Sequence, residues 1–156
     1  MTAANCTRGY SRFAWLWLVA ALVAASARAI EPFSNGIWLV AYLFLVGFLA
    51  QLLLGRGQAV LNRSQPSPRR RAQAVLWNGG VAVVPSGVFA DSRVLVVLGG
   101  IGLLAALTLY WQSARATSRN PRTNPAWLKH GFTALIAFMA GSVFVGTALA
   151  WDRPWF

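Results

Sequence analysis

The residues able to do chemistry in this chain are few and far apart. His130 is the sole histidine, Cys6 the sole cysteine, and Glu31, Asp91 and Asp152 are the only acids among 156 residues. Nucleophilic catalysis needs a nucleophile, a base and an orienting group within hydrogen-bond reach. One histidine cannot supply bis-histidine haem ligation or a zinc site by itself. One cysteine excludes both an internal disulfide and a multi-cysteine metal centre. Cys6 precedes the first apolar run, so it is not placed like a lipid-modified signal cysteine and reads as a free thiol. The run Gly99-Gly100-Ile101-Gly102 lies inside an apolar stretch and lacks the P-loop pattern. No catalytic, cofactor-binding or metal-binding residue is expected, no cofactor is implied, and the chain is not expected to act as an enzyme alone.

The elements that carry these residues are apolar. Hydrophobic residues make up 57% of the chain and charged residues 11%, against about 25% charged in a soluble domain. So few charges cannot clothe a water-facing surface, and lipid is the expected solvent. The surest span is 37–54, with twelve Leu, Ile, Val or Phe residues, worth roughly −4 to −7 kcal/mol on an insertion scale. The run 13–29 precedes it and 132–151 is the last. Residues 73–111 are too long for one crossing of about 20 residues, and Asp91, Ser92 and Arg93 near the middle would sit at the costliest depth. A hairpin returns them to water and gives spans 73–90 and 94–111. The first of these is the weakest, because Gly79, Gly80, Pro85 and Gly87 disfavour a straight helix. A kink at Pro85 and a partly re-entrant segment are the alternatives to a straight span, and a re-entrant 73–90 would carry the second basic loop outward, so a full crossing is the reading taken.

The fold expected is therefore an all-α integral membrane protein, a five-helix transmembrane bundle forming a single domain over 1–156. Charge sets its direction. The formal charge is +11, and 13 of the 14 basic residues are arginine. A nucleic-acid reader spreads such charge over one soluble face; here it fills the gaps between apolar runs, so nucleic acid is not the expected partner. With the N-terminus cytoplasmic, the inner segments hold Arg8 and Arg12, then Arg56, Arg63, Arg69, Arg70 and Arg71, then Arg115, Arg119, Arg122 and Lys129, and no acid. The outer segments hold Arg28, Arg93 and Arg153 beside all three acids. That asymmetry is the positive-inside pattern, and it places the C-terminus outside. Basic cytoplasmic loops are expected over 56–71 and 112–129, broken by Pro66, Pro68, Pro121 and Pro125. All eight tryptophans fall near one proposed interface or the other. The excess of Arg and Ala suggests a GC-rich bacterial genome, and so a bacterial inner membrane.

Residues 13–25 also resemble the apolar core of a secretory signal, with Ala27-Arg28-Ala29 as a small-x-small cleavage site. The segment is read as a permanent helix; cleavage would leave four spans and the same orientation.

Small residues recur at i+4 as Ala21, Ala25 and Ala29, as Gly102 and Ala106, and as Ser142, Gly146 and Ala150. Such seams let helix backbones approach closely, within the bundle, in a homo-oligomer or on a membrane-protein partner. Polar residues inside the spans are Gln51, Asn78, Ser86, Thr108, Thr133, Ser142 and Thr147; Gln51 and Asn78 are candidates for bonds across helices. The neighbours Arg28 and Glu31, Asp91 and Arg93, and Asp152 and Arg153 are read as solvated ion pairs worth at most about 1 kcal/mol each; their alternative is a polar ring that gates or binds headgroups. No charged residue lies in the hydrocarbon of this layout, which disfavours a proton-coupled transporter. Three classes of function follow. The first is a structural or accessory membrane subunit. The second is a small transporter or channel for a neutral or lipophilic solute, entered through Pro85 and Gly79-Gly80. The third is an intramembrane enzyme using a partner's cofactor.

Overall fold

A computed structural model of the chain describes residues 3–33, 35–61, 67–117 and 126–152. Five helices follow one another and no strand occurs among the described residues: α1 Ala3–Ile30, α2 from residue 36 to 61, α3 Ser67–Phe89, α4 Arg93–Thr117 and α5 Ala126–Asp152. Among the described residues three segments are long and apolar enough to cross a membrane, Arg12–Ile30, Gly36–Gln58 and Arg93–Arg115, and the expected spans 73–90 and 132–151 are not among them. The apolar part of α5, His130–Val145, is shorter. Two compact units result, residues 1–59 and 60–156.

The first unit is an α1/α2 hairpin. Ala14, Ala21 and Ala24 are buried, with Trp17 half-buried between them. This 3–4 spacing turns one narrow face of α1 toward α2. Ala21 and Ala24 meet Leu43, flanked by Trp17, Leu39, Val40 and Tyr42. The expected seam is thus corrected: Ala21 is in it, but Ala25 is only half-buried and Ala29 is exposed. A 3.6-residue turn carries an i+8 position about 80° away from the starting face, so three alanines at i+4 cannot all look at one partner. Helix α2 is α-helical over Gly36–Tyr42, widens to π geometry over Leu43–Ala50, and returns to α over Gln51–Leu61. Gly47 lies in the widened stretch, where a Cβ would fall 2.8 Å from Trp17 Cβ.

The second unit is built on the α3/α4 hairpin, with α5 laid on α4. Its turn has a complete local explanation. Ser92 N–H donates to the Gly87 carbonyl at 2.9 Å and Asp91 N–H to that of Val88 at 3.4 Å, with Asp91 at φ 50. This is the Schellman closure, with Asp in the left-handed position that glycine usually takes. Ser92 then caps α4, its Oγ accepting from Leu95 N–H at 3.5 Å. The expected hairpin at residues 91–93 is present.

Helix α3 runs as one continuous helix through Pro85. The glycines serve close packing. A Cβ on Gly80 would fall 2.7 Å from Leu103 Cγ and 2.9 Å from the Gly99 carbonyl oxygen, and one on Gly99 would fall 2.7 Å from Val84 Cγ2. Gly87 meets Val96 N at 2.7 Å in the same sense. Gly99, Leu103, Ala106 and Tyr110 form the buried seam of α4. Gly102, expected there with Ala106, stands looser, since a Cβ on it would fall 3.6 Å from the Leu76 carbonyl oxygen. On α5 Phe132 and Ile136 are buried among the described side chains and Ser142 is exposed, while the burial of Gly146 and Ala150 lies outside the described residues.

Within the two expected basic loops the described residues, 56–61 and 67–71 in the first and 112–117 and 126–129 in the second, are helical, and 62–66 and 118–125 lie outside the described residues. Helix α2 continues to residue 61, α3 begins at 67, and α4 continues to 117 before α5 starts at 126. Arginine and glutamine are good helix formers, so a helix need not stop where the hydrocarbon would. Pro68 falls in the first turn of α3, where its missing N–H costs nothing.

Candidate functional site

His130 is exposed near the start of α5, and Glu31 and Asp91 are exposed in turns. Among the described residues no three His, Cys, Asp or Glu side chains gather where a metal could sit. Arg28 does not pair with Glu31; its Nη1 donates to the Phe33 carbonyl at 3.3 Å, and its aliphatic stem packs over Gly36. The guanidinium thereby ties the end of α1 to the turn before α2. Asp91 is engaged through its backbone in the turn. Asp152 ends α5, and Arg153 lies outside the described residues.

The hydroxyls and amides within the spans largely bond to their own helix. Asn78 Nδ2 donates to the Ala74 carbonyl at 2.8 Å, Ser86 Oγ to Ala82 at 2.9 Å, Thr108 Oγ1 to Ala105 at 2.7 Å and Ser142 Oγ to Phe138 at 2.9 Å. Back-bonding of this kind satisfies a polar group without any second helix. The route expected through Gly79-Gly80 is filled at Gly80 by α4, while Gly79 faces outward with nothing within 4 Å of a Cβ.

A buried polar bond across helices joins α3 to α4, and sequence reasoning missed it. Gln73 Nε2 donates to Ser113 Oγ at 3.0 Å, and Ser113 Oγ donates onward to the Leu109 carbonyl at 2.7 Å. Ser113 reads from sequence as a loop residue. The signal was available: in an antiparallel hairpin turning at Asp91, residues 73 and 113 stand at similar distances from the turn. One turn deeper, Trp77 and Tyr110 meet edge to face, centroids 6.4 Å apart at 89°; both are fully buried.

Above that layer the hairpin ends in positive charge. Arg69 donates from Nη2 to Gln112 Oε1, joining α3 to α4. Arg115 lies over the Trp111 ring, 3.7 Å from its centroid, a contact worth about 0.5–1 kcal/mol when exposed. Arg69 and Arg115 therefore share one end of the hairpin with Arg70 and Arg71, and Asp91 stands at the other. In the first unit, Gln51 is 1% exposed and neither atom of its amide has a hydrogen-bond partner among the described residues. It directly follows the π-helical stretch, a geometry frequent at functional sites.

Such an arrangement can hold helices together and attract anions at one end; it supplies no acid–base pair. Compared with known protein families, curated proteins and solved structures, the chain matches none.

Proposed function

We propose that the chain is a five-span protein of a bacterial inner membrane, with its N-terminus in the cytoplasm and its C-terminus outside, serving as a structural or accessory subunit of a membrane assembly. The observation that carries this reading is the apolar surface left uncovered on helices of bilayer length. Leu16, Val19, Leu22 and Val23 on α1, Val94, Leu98 and Ile101 on α4, and Phe138, Phe144 and Val145 on α5 are each more than half exposed. Water would oppose that exposure at roughly 25 cal/mol per Å²; lipid or a partner helix does not. From Arg71 to Phe89, α3 rises about 27 Å at 1.5 Å per residue, close to the hydrocarbon thickness. Its polar groups are met by α4 or its own backbone at Gln73 and Asn78, so α3 and α4 enter lipid best as a pair.

The subunit role is supported by polar side chains that largely bond within the described helices. Crosslinking in native membranes followed by mass spectrometry is the test: reproducible crosslinks to one membrane protein support it. Recovery of an uncrosslinked monomer, alone again after native-detergent purification, argues against it. A transporter or channel for a neutral or lipophilic solute is the second reading, favoured by the buried amide of Gln51. A Gln51→Leu variant more stable than its parent, with complex formation intact, separates the two, because a solute-binding amide costs stability that a structural position does not.

A further inference from the structure

The basic end of the α3/α4 hairpin combines a charged grip with an apolar track. Arg69 is held toward α4 by Gln112. Arg115 is one helical turn further along the same face of α4 as Gln112, its guanidinium set over Trp111 at 3.7 Å. A planar guanidinium offers five N–H donors, and Gln112 engages one nitrogen of Arg69. Asp91, the carboxylate nearest in sequence to this hairpin end, belongs to the opposite turn. Both arginines belong to this end of the hairpin, and among the described residues of this unit no carboxylate stands there with them. Toward the turn from Gln112, the same face of α4 presents Thr108, Ile101, Leu98 and Val94, all exposed. The hydroxyl of Thr108 is turned back onto Ala105, which leaves that track without a polar group seeking water. A soluble phosphate or a nucleic acid would use the charge but not the track. An amphiphile uses both.

We propose that Arg69 and Arg115 bind the phosphodiester of an anionic phospholipid, whose acyl chain lies along Thr108, Ile101 and Leu98 of α4. The site rests on the reading of the chain as membrane-inserted with this end in the cytoplasmic leaflet, where anionic headgroups meet juxtamembrane arginine. It goes beyond the positive-inside rule, because it assigns two particular arginines and leaves Arg71, exposed on the same hairpin end, outside the grip.

The test is native mass spectrometry of the detergent-purified full chain titrated with phosphatidylglycerol, phosphatidylcholine or glycerol 3-phosphate. The parent is expected to retain phosphatidylglycerol over phosphatidylcholine and to ignore glycerol 3-phosphate. Arg69→Gln with Arg115→Gln should weaken phosphatidylglycerol binding about thirtyfold, from roughly a factor of five per arginine near a headgroup. Arg56→Gln with Arg71→Gln removes equal charge outside the grip and should leave phosphatidylglycerol binding close to that of the parent. Circular dichroism on both double variants checks that the helices persist, and Arg115→Lys, which keeps charge but loses the planar stack, should fall between. Equal weakening in the two double variants, or binding of glycerol 3-phosphate as tight as that of the lipid, overturns the proposal. Alkaline carbonate washing of membranes keeps the two readings apart. A chain stripped off by carbonate defeats membrane insertion itself, whereas a retained chain without phosphatidylglycerol preference defeats only the lipid site.

Discussion

Alanine at Gly80 would set a methyl group 2.9 Å from the Gly99 carbonyl oxygen, a backbone atom that cannot rotate away. Gly80→Ala is therefore expected to destabilise the α3/α4 hairpin by about 1–3 kcal/mol, as overpacking does. Its neighbour gives the control: Gly79 meets nothing, so Gly79→Ala should stabilise by about 0.5–1 kcal/mol through helix propensity alone. Denaturation in mixed micelles, followed by circular dichroism, reads both. Opposite signs for adjacent glycines are the signature; a shared sign would mean that α3 does not pack this way. The Gln73–Ser113 bond is measured by a double-mutant cycle with Gln73→Leu and Ser113→Ala. Its coupling is expected near 0.6 kcal/mol and no more than about 1.7, because an unfolded chain in lipid also finds partners.

At the scale of elements, the turn at Asp91 is the sharpest feature. Its φ of 50 suits glycine best and a β-branched residue worst. Asp91→Gly should equal or exceed the parent in stability, and Asp91→Val should lose about 1–2 kcal/mol, read by the same denaturation. Sequence reasoning reached this turn through the cost of burying Asp91 and Arg93, and that argument concerns charge, which a sequence states directly. It also placed all five helices. It misjudged their ends, because Arg56, Arg69 and Arg115 lie within helices and do not interrupt backbone hydrogen bonding. It rated α3 the weakest span because glycine lowers helix propensity in isolation, whereas Gly80 and Gly87 are repaid by contact with Gly99 and Val96, which only a tertiary partner reveals. The Arg69–Gln112 and Arg115–Trp111 contacts were invisible for the same cause. Helix α1 belongs here too. Ala21 and Ala24 pack on Leu43, and Ala27 lies in the helix, accepting from Glu31 N–H at 2.9 Å. Signal cleavage needs that segment extended. N-terminal sequencing of chain purified from membranes should read residues before 30, and a new terminus at residue 30 would refute a permanent α1.

For the whole molecule, uncovered apolar helices and arginine confined to the gaps between apolar runs support the proposal that lipid surrounds the chain with its basic helix ends in the cytoplasm. Impermeant maleimide labelling of single cysteines, in a Cys6→Ser background, tests this most directly. Cysteines replacing Glu31 and Arg93 should react in intact cells, while those replacing Ser67 and Thr117 should react only after the membrane is opened. Labelling of positions 67 and 117 from opposite sides would contradict the account.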